Sequence, residues 1–318
     1  MTVRRQRLGS AGPELSVVGF GTWEAGGADW GANDSDEEVI GAIRAGLDAG
    51  IGWVDTAEIY GDGVSEELVG RALAGRDQVL VASKVAPRPD GSGFGADQVR
   101  RACEAILRRL GRDVIDLYQL HWPAGEPEIE ETWQAMSELV DAGLVRWIGV
   151  SNFDRKLIER CEAIRHVDSL QPHFSLLVRK HGDLIRWCGE RGIGVIAYGP
   201  LAFGLLTGAV DEETEFAADD WRSGETGDSY YRALFAPGML ERSLAVERAL
   251  RPVAARLAIT TAQLAIAWTA AQPGVTAAIA GSRNPDHARE NAAAGAVSLD
   301  EATRREIEEI ALLGPAHR

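Results

Sequence analysis

The chain alternates between short runs rich in β-branched residues and longer segments with helical periodicity. A return to a parallel strand needs a crossover, usually a helix, so this alternation indicates a parallel sheet covered by helices. The runs with strand composition lie at residues 17–21, 51–55, 79–83, 114–120, 145–150, 168–171, 194–198 and 276–280. The pattern predicts an α/β fold with eight such strands.

The helical segments between these strands have clear ends. Ser35 is placed to cap a helix whose first turn is acidic, and Gly50 ends that helix. The segments that end at Gly111 and Gly143 stop in the same way. No change in composition indicates a linker, so we expect residues 1–318 to form one domain.

Two α/β architectures are compatible with this alternation. A doubly wound sheet usually binds dinucleotides with a glycine-rich loop after its first strand, but here that strand is followed by TWEAGG. The segment GIGVIA (192–197) has suitable glycine spacing but opens a strand, and GPLAFG (199–204) lacks the Lys-Ser/Thr of a phosphate loop. A closed (β/α)8 TIM barrel fits eight units better. The first twenty residues are then expected to form a β-hairpin that closes the bottom of the barrel.

One stretch, residues 208–243, does not fit the alternation. It is acidic and aromatic and has no clear period. We expect a long irregular loop here, and such loops in compact domains are usually functional. Because it follows the seventh strand, it would lie on the face where barrel active sites lie.

Charge and cysteine content narrow the class of protein. The net charge of −15 argues against nucleic acid as a partner, since a phosphate backbone needs a basic face. Three cysteines without a C-x-x-C pair favour a reducing cytoplasm. No secretory signal is apparent, and no run approaches the roughly 20 apolar residues that cross a bilayer. We expect a cytoplasmic monomer or simple homo-oligomer without a membrane partner.

Polar residues stand at the ends of seven consecutive strands. They are Asp55, Ser83-Lys84, His121, Ser151-Asn152, Gln171, Tyr198 and Gly281-Ser282-Arg283. Each has a structural explanation when taken alone, such as capping of the next helix by an acid or amide. In a barrel, however, the carboxyl ends of the strands meet at one mouth. Together these residues predict an active site there, with Tyr60 on the turn above it.

The combination of Asp55, Lys84, Tyr60 and His121 suits proton transfer to a carbonyl oxygen. A nearby ammonium is expected to lower the pKa of the Tyr60 phenol, and Asp55 would compensate the desolvated lysine. His121 would orient the carbonyl. No side chain supplies hydride, so carbonyl reduction implies a nicotinamide cofactor. Metal-dependent hydrolysis is disfavoured, because only one histidine stands at a strand end and no metal site is expected.

Five longer motifs resemble those of a known family. They are DTAEIYGDGVSEELVGRAL (55–73), RRLGRDVIDLYQLHWP (108–123), VRWIGVSNF (145–153), GIGVIAYGPLAFGLLTG (192–208) and IAGSRNPDHARENAAA (279–294). In this order they resemble the motifs of the aldo-keto reductases. The resemblance implies a (β/α)8 barrel that uses NADPH/NADP+ to reduce aldehydes or ketones to alcohols. It also implies the catalytic tetrad Asp55, Tyr60, Lys84 and His121, with Tyr60 as proton donor.

The same resemblance implies the cofactor contacts. Ser151, Asn152 and Gln171 would hold the carboxamide, Tyr198 would stack on the nicotinamide, and Ser282 and Arg283 would bind the 2′-phosphate. The full implied set is Gly21, Thr22, Trp23, Asp55, Ser151, Asn152, Gln171, Tyr198, Gly199, Pro200, Leu201, Phe203, Gly204, Leu205, Arg222, Gly281, Ser282, Arg283, His287, Glu290 and Asn291. The implied substrate pocket consists of Trp23, Tyr60, His121 and Trp122.

Three positions depart from the family pattern. His287 replaces the usual Gln or Arg, Ala209 stands where many members have Lys, and IAG replaces I-P-G before the phosphate loop. The first two remove polar or charged contacts to the cofactor, which leaves the strength of the preference for NADPH over NADH open.

Other functions stay open beside the carbonyl reductase. The chain could be a cofactor-bound regulatory subunit with residues 208–243 as its docking surface, or a barrel lyase without a cofactor. The sequence does not identify the substrate. Trp23, Trp122 and the 208–243 segment favour an apolar or aromatic small-molecule carbonyl compound, and sugars and steroid-like molecules stay open as alternatives.

Overall fold

The computed structural model describes residues 2–27, 29–31, 35–88, 93–125, 128–223 and 229–315. Its strands are β1 Arg5–Arg7, β2 Glu14–Ser16, β3 Val18–Gly21, β4 Trp53–Asp55, β5 Leu80–Val85, β6 Ile115–Leu120, β7 Val145–Ser151, β8 Ser169–Gln171, β9 Gly194–Tyr198 and β10 Ala277–Gly281. Its helices are α1 Asp36–Asp48, α2 Val64–Ala72, α3 Ala96–Leu110, α4 Ile129–Asp141, α5 Arg155–Glu162, α6 Gly182–Gly189, α7 Ser229–Arg232, α8 Met239–Arg256, α9 Thr261–Ala270, α10 Pro285–Ala293 and α11 Glu301–Ala311.

Strands β3 to β10 form a closed parallel barrel in which β10 pairs with both β9 and β3. Each of the eight predicted strands overlaps one strand of this barrel. The register brings strand ends side by side at one rim, since Gly21 pairs with Asp55 and Ser151 pairs with Gln171. The prediction of a (β/α)8 barrel is confirmed.

The predicted helix ends are also present. The Ser35 side chain accepts a hydrogen bond from the backbone N–H of Glu38 at the start of α1. Gly111 ends α3 in the left-handed conformation, with φ of 63°, which costs glycine little because it has no Cβ. These local signals set where each helix begins and ends, while burial of one helical face against the barrel provides most of its stability.

The N-terminal hairpin closes the bottom of the barrel. Strands β1 and β2 are antiparallel, and the turn between them directs Leu8 into the interior, where it is 1% exposed. Leu8 and Leu15 belong to one apolar cluster with side chains from the barrel strands. Gly9 has φ of 57°, and a Cβ there would lie 2.2 Å from the carbonyl oxygen of Gly192. The close approach of the two backbones therefore requires glycine at this position.

The prediction that residues 208–243 are wholly irregular was wrong in part. Short 3₁₀ turns occur at Trp221–Ser223 and Ala233–Phe235, α7 lies between them, and α8 already begins at Met239. Residues 224–228 lie outside the described part of the chain. Trp221 is 1% exposed, and its backbone N–H donates to the carbonyl of Asp29 at 2.8 Å. The segment lacks a helical period because its aromatic residues pack across the barrel mouth instead of along one helix face.

Among the described residues, no single helix is long and apolar enough to cross a membrane. Helices α8 and α9 meet that criterion of length and composition only as a pair, with a bend of 91° between them.

Candidate active site

A cavity of about 840 Å³ opens at the carboxyl ends of the barrel strands. A volume of this size is typical of sites for small molecules and cofactors. Of the predicted site residues, all but Lys84 and Leu205 line it. Lys84 is fully buried beneath the cavity surface, and Leu205 packs in the hydrophobic core. The structure thus brings nearly the whole predicted set to one mouth.

Lys84 lies on the inner face of the barrel next to Asp55. Asp55 pairs with Ala82 across the strands, and Lys84 is two residues further along β5, so both side chains point to the same face. The Lys84 ammonium donates to Asp55 Oδ1 at 2.5 Å and to the carbonyl of Thr56 at 2.9 Å. The lysine side chain is 0% exposed and the aspartate side chain 4% exposed. Asp55 therefore compensates a charge that would otherwise be buried alone.

Tyr60 is held above this ion pair by a turn of unusual conformation. Gly61, Asp62 and Gly63 all have positive φ, at 61°, 51° and 95°. A Cβ on Gly61 would lie 2.3 Å from the carbonyl oxygen of Gly26, so the loop fits only with glycine there. The turn brings the Tyr60 hydroxyl to 3.3 Å from the Lys84 ammonium, which donates to it.

The direction of the Tyr60 pKa differs from the expectation. Burial raises the pKa of the Tyr60 phenol well above its usual value, and the negative charge of Asp55 adds to the shift. Burial lowers the pKa of Lys84, although the charge of Asp55 opposes that change. The lysine was expected to lower the phenol pKa, and this expectation was wrong, because desolvation of a phenolate outweighs one neighbouring ammonium. Tyr60 is accordingly protonated at neutral pH.

His121 faces the same point from the next strand. Gln119 pairs with Lys84, and His121 follows β6 two residues later, so it continues the same face of the sheet. Its ring centroid lies 5.7 Å from that of Tyr60. Burial, followed by the charge of Lys84, lowers the pKa of His121 well below its usual value. A neutral imidazole has one donor and one acceptor nitrogen, so it can hydrogen-bond a carbonyl oxygen without carrying charge.

The residues predicted to bind a carboxamide belong to one hydrogen-bond network with this group. Gln171 Nε2 donates to Asp55 Oδ2 at 2.9 Å, and Ser151 Oγ donates to the carbonyl of Gln171 at 2.9 Å. Asn152 has a left-handed φ of 61°, and its Nδ2 donates to the carbonyl of His121 at 3.1 Å. The strand-end amides are therefore fixed by the same contacts that hold the catalytic candidates.

Tyr198 is anchored at its hydroxyl and stacked on one face. Its hydroxyl donates to Asn152 Oδ1 at 2.9 Å and lies 2.8 Å from the hydroxyl of Tyr231. Its ring stacks on His173 with centroids 5.1 Å apart and planes 13° from parallel. Because both the tilt and the hydroxyl are fixed, the ring is a preformed flat wall of the cavity.

The two predicted cofactor arginines make contacts that the sequence did not indicate. Arg222 binds both carboxylate oxygens of Asp220, at 2.9 and 2.6 Å. Arg283 donates to the carbonyls of Trp30 and Gly31, at 3.1 and 3.0 Å. The Arg283 contacts join the segment after β3 to the segment after β10. The hydrogen bond from the Trp221 backbone N–H to the Asp29 carbonyl joins the segment after β3 to the segment after β9. Both arginines line the cavity, and both guanidinium groups are held by protein groups.

Several cavity residues were missed by the sequence analysis. They are chiefly charged or aromatic, namely Glu24, Asp29, Trp30, His173, Trp221 and Tyr231. The first three follow β3. Glu24 is three residues past the end of that strand, whereas Asp29 and Trp30 are eight and nine residues past it, beyond the reach of a rule on strand ends. Trp221 and Tyr231 come from the 208–243 segment, and no pattern in the sequence indicates which of its residues enter the cavity.

Comparison with known proteins gives consistent relatives. The profile of the Aldo/keto reductase family matches residues 17–312. The chain is 37% identical over 286 residues to the aldo-keto reductase YhdN of Bacillus subtilis (strain 168), covering 87% of this chain and 84% of the relative. It is 31% identical over 325 residues to the NADH-specific methylglyoxal reductase of Escherichia coli (strain K12), covering 96% and 97% of the two chains.

A solved structure with similar coverage is an aldo-keto reductase from Klebsiella pneumoniae in complex with NADPH. It has a TM-score of 0.77 and 32% identity, over 100% of this chain and 98% of that chain. The description of the Klebsiella pneumoniae structure names NADPH, whereas that of the Escherichia coli relative names NADH.

Proposed function

The chain belongs to the aldo/keto reductase family, and on that premise we propose that it is an NADPH-dependent oxidoreductase that reduces aldehydes or ketones to alcohols. The observation that carries the proposal is the buried Asp55–Lys84 pair beneath the Tyr60 hydroxyl. In this proposal residues 1–318 act as one domain, and the substrate is a small carbonyl compound.

The cavity residues fit a nicotinamide dinucleotide. Asn152 accepts a hydrogen bond from the Tyr198 hydroxyl. Gln171, Arg222 and Arg283 line the same cavity. A ligand with a carboxamide on a flat ring and an anionic remainder uses both kinds of group. We propose that the predicted cofactor residues lining the cavity hold it, and when bound it supplies the hydride that no side chain can supply.

Within this proposal each tetrad residue has a separate role. Tyr60 keeps its proton because of burial and can donate it to a carbonyl oxygen as charge develops there. Lys84 donates to the phenol oxygen and stabilises the negative charge that proton transfer leaves on it. Asp55 keeps the lysine charged, and neutral His121 orients the carbonyl oxygen by a hydrogen bond. Trp23 and Trp122 line the cavity and are proposed to contact the rest of the substrate.

The test is the Tyr60→Phe variant, assayed by NADPH absorbance with an aromatic aldehyde. We expect loss of turnover by at least about two orders of magnitude, the usual contribution of a general acid. NADPH binding, measured by tryptophan fluorescence, should persist. Full turnover in this variant would contradict the assignment of Tyr60 as the acid.

Tyr118→Phe is the matched control. Tyr118 is a fully buried tyrosine on β6 that packs in the hydrophobic core away from the cavity. The same loss of one hydroxyl should leave turnover near that of the unmodified protein. A protein that binds NADPH but turns over no carbonyl compound in either form would instead support the regulatory-subunit alternative.

A further inference from the structure

His173 lies in the wall of the cavity, and the proposed function gives it no role. It follows Gln171, the last residue of β8, by two positions, so the two side chains point to the same side. Its backbone pairs with that of Tyr198, the last residue of β9, in an isolated parallel bridge. The side chain is 1% exposed and lines the cavity. His173 is therefore fixed beside the strand-end residues of the proposed site.

The imidazole of His173 stacks on one face of the Tyr198 ring. The ring centroids are 5.1 Å apart and the planes are 13° from parallel, which is an offset arrangement that aromatic pairs favour. The Tyr198 N–H donates to the Pro172 carbonyl at 3.0 Å, and the Phe174 N–H donates to the Tyr198 carbonyl at 3.1 Å. Main-chain contacts on both sides of His173 therefore set the distance between the two rings.

The imidazole is held in turn by the residues around it. Gly199 follows Tyr198 with φ of 69°, and a Cβ there would lie 2.9 Å from both Cδ2 and Nε2 of His173. The centroid of the Phe203 ring lies 5.3 Å from that of the imidazole, and the centroid of the Tyr231 ring lies 5.6 Å from it. Because close packing of this kind leaves little room for a ring to turn, Tyr198 stacks on a side chain that is itself fixed.

We propose that His173 is a positioning residue that holds the Tyr198 ring parallel to the nicotinamide and so strengthens the binding of that part of the cofactor. The inference rests on the proposed function, in which Tyr198 stacks on the nicotinamide. The nicotinamide would lie on the face of Tyr198 opposite His173. His173 then acts only through Tyr198 and does not touch the cofactor.

The physical reason is that stacking depends on the tilt of both rings. A tyrosine ring turns about two χ angles, and the second has a broad energy minimum. A hydrogen bond at the Tyr198 hydroxyl does not by itself prevent this second rotation, because the axis passes through Cβ and the hydroxyl oxygen. Stacking on His173 does restrict it, so less conformational freedom is lost when a ligand ring binds. Only the nicotinamide half of the cofactor gains from this, since the adenosine half does not contact Tyr198 in the proposal.

The experiment compares His173→Leu with the unmodified protein, since Leu keeps an apolar side chain and removes the flat ring. Calorimetric titration gives dissociation constants for NADPH and for adenosine 2′,5′-bisphosphate, which lacks the nicotinamide. We expect the ratio of the NADPH constant to the bisphosphate constant to rise about three- to tenfold, the effect of one aromatic pair. His173→Gln, which also lacks the ring, is measured beside it and should change the ratio in the same way. His173→Phe restores a flat ring and should return the ratio to that of the unmodified protein.

Two comparisons test whether the effect passes through Tyr198. In a Tyr198→Ala background, adding His173→Leu should leave the ratio unchanged, because the ring that His173 positions is gone. Phe174→Leu removes the neighbouring ring in the chain, which packs in the hydrophobic core and stacks on Trp268 with centroids 5.8 Å apart. This variant should lower Tm and leave the ratio unchanged.

An unchanged ratio in His173→Leu and His173→Gln, or an equal weakening of both ligands, would overturn the inference while leaving the proposed function intact. A ratio that His173→Phe does not restore, or that still changes in the Tyr198→Ala background, would overturn it too. If the unmodified protein does not bind NADPH, the proposed function itself fails, and this inference fails with it.

Discussion

Replacement of Asp55 by Asn tests whether the buried ion pair has the role given to it. The substitution keeps the side-chain size and removes the charge that faces Lys84, whose ammonium would keep the carbonyl of Thr56 as an acceptor. Because the lysine side chain is 0% exposed, water cannot take over the lost interaction. Breaking a buried pair in this way destabilises a protein by about 3–5 kcal/mol.

The expected change in melting temperature follows from the size of the chain. Unfolding entropy is about 2.1 cal/mol/K per residue, which for 318 residues gives about 0.67 kcal/mol/K. A loss of about 3–5 kcal/mol then lowers Tm by roughly 4–8 °C. Circular dichroism during heating measures Tm, and denaturant titration measures the free energy of unfolding.

The pH dependence of this loss gives a sharper test. Burial lowers the pKa of Lys84, and Asp55 opposes that shift, so Asp55→Asn should lower the pKa further. In the interval between this lowered pKa and the usual lysine value, the unfolded chain binds more protons than the folded one. Stability of the variant therefore rises with pH across that interval. The difference in stability between the two proteins should therefore shrink as pH rises toward the usual lysine pKa.

Two controls distinguish the effect of leaving a buried charge unpaired from the effect of losing an ion pair in general. Asp48→Asn breaks an exposed pair with Arg76, in which the side chains are 63% and 30% exposed, and it should cost less than about 1 kcal/mol. Adding Lys84→Met to Asp55→Asn removes the uncompensated charge and should recover part of the lost stability. A loss below about 1 kcal/mol in Asp55→Asn, or a loss that grows with pH, would refute the reasoning.

The remaining predictions concern the barrel bottom and His121. Leu8→Ala should lower the free energy of unfolding by about 2–5 kcal/mol in urea titration, because Leu8 is almost fully buried in the barrel; a loss below about 0.5 kcal/mol would show that the hairpin does not close the barrel. Burial and the charge of Lys84 lower the pKa of His121, so its imidazole is neutral between about pH 6 and 8. A plot of kcat/KM against pH should therefore show no break due to His121 titration in that range. A break in this range that disappears in His121→Asn would contradict that account.

The candidate site could be predicted from sequence to the extent that it follows from strand ends. Once eight parallel strands close a barrel, their last residues meet at one rim, so Asp55, Lys84 and His121 could be placed together without coordinates. After β3, the same reasoning reaches only residues next to the strand end at Gly21, and Trp30 lies nine residues beyond that end.

Contacts across the mouth could not be predicted in this way. Trp30 bridges to Asp220, and Arg283 binds the carbonyls of Trp30 and Gly31, although the partners come from opposite ends of the chain. Periodicity and caps report only on neighbours within a few residues, so they contain no information on which loops meet. The direction of the shift in the Tyr60 pKa could not be predicted for the same reason, because desolvation depends on every element packed around the phenol.

The sequence by itself determined the order of the barrel strands, the ends of α1, α3 and α4, and the N-terminal hairpin, because these depend on alternation, capping residues and glycine at positive φ. The tertiary structure alone decided that Tyr60 is held protonated, that both cavity arginines are already bound by protein groups, and that Glu24 lines the same cavity. The reason is physical. Local conformation is set by nearby residues, whereas burial and the electrostatic environment of a side chain are sums over groups that only the closed barrel brings together.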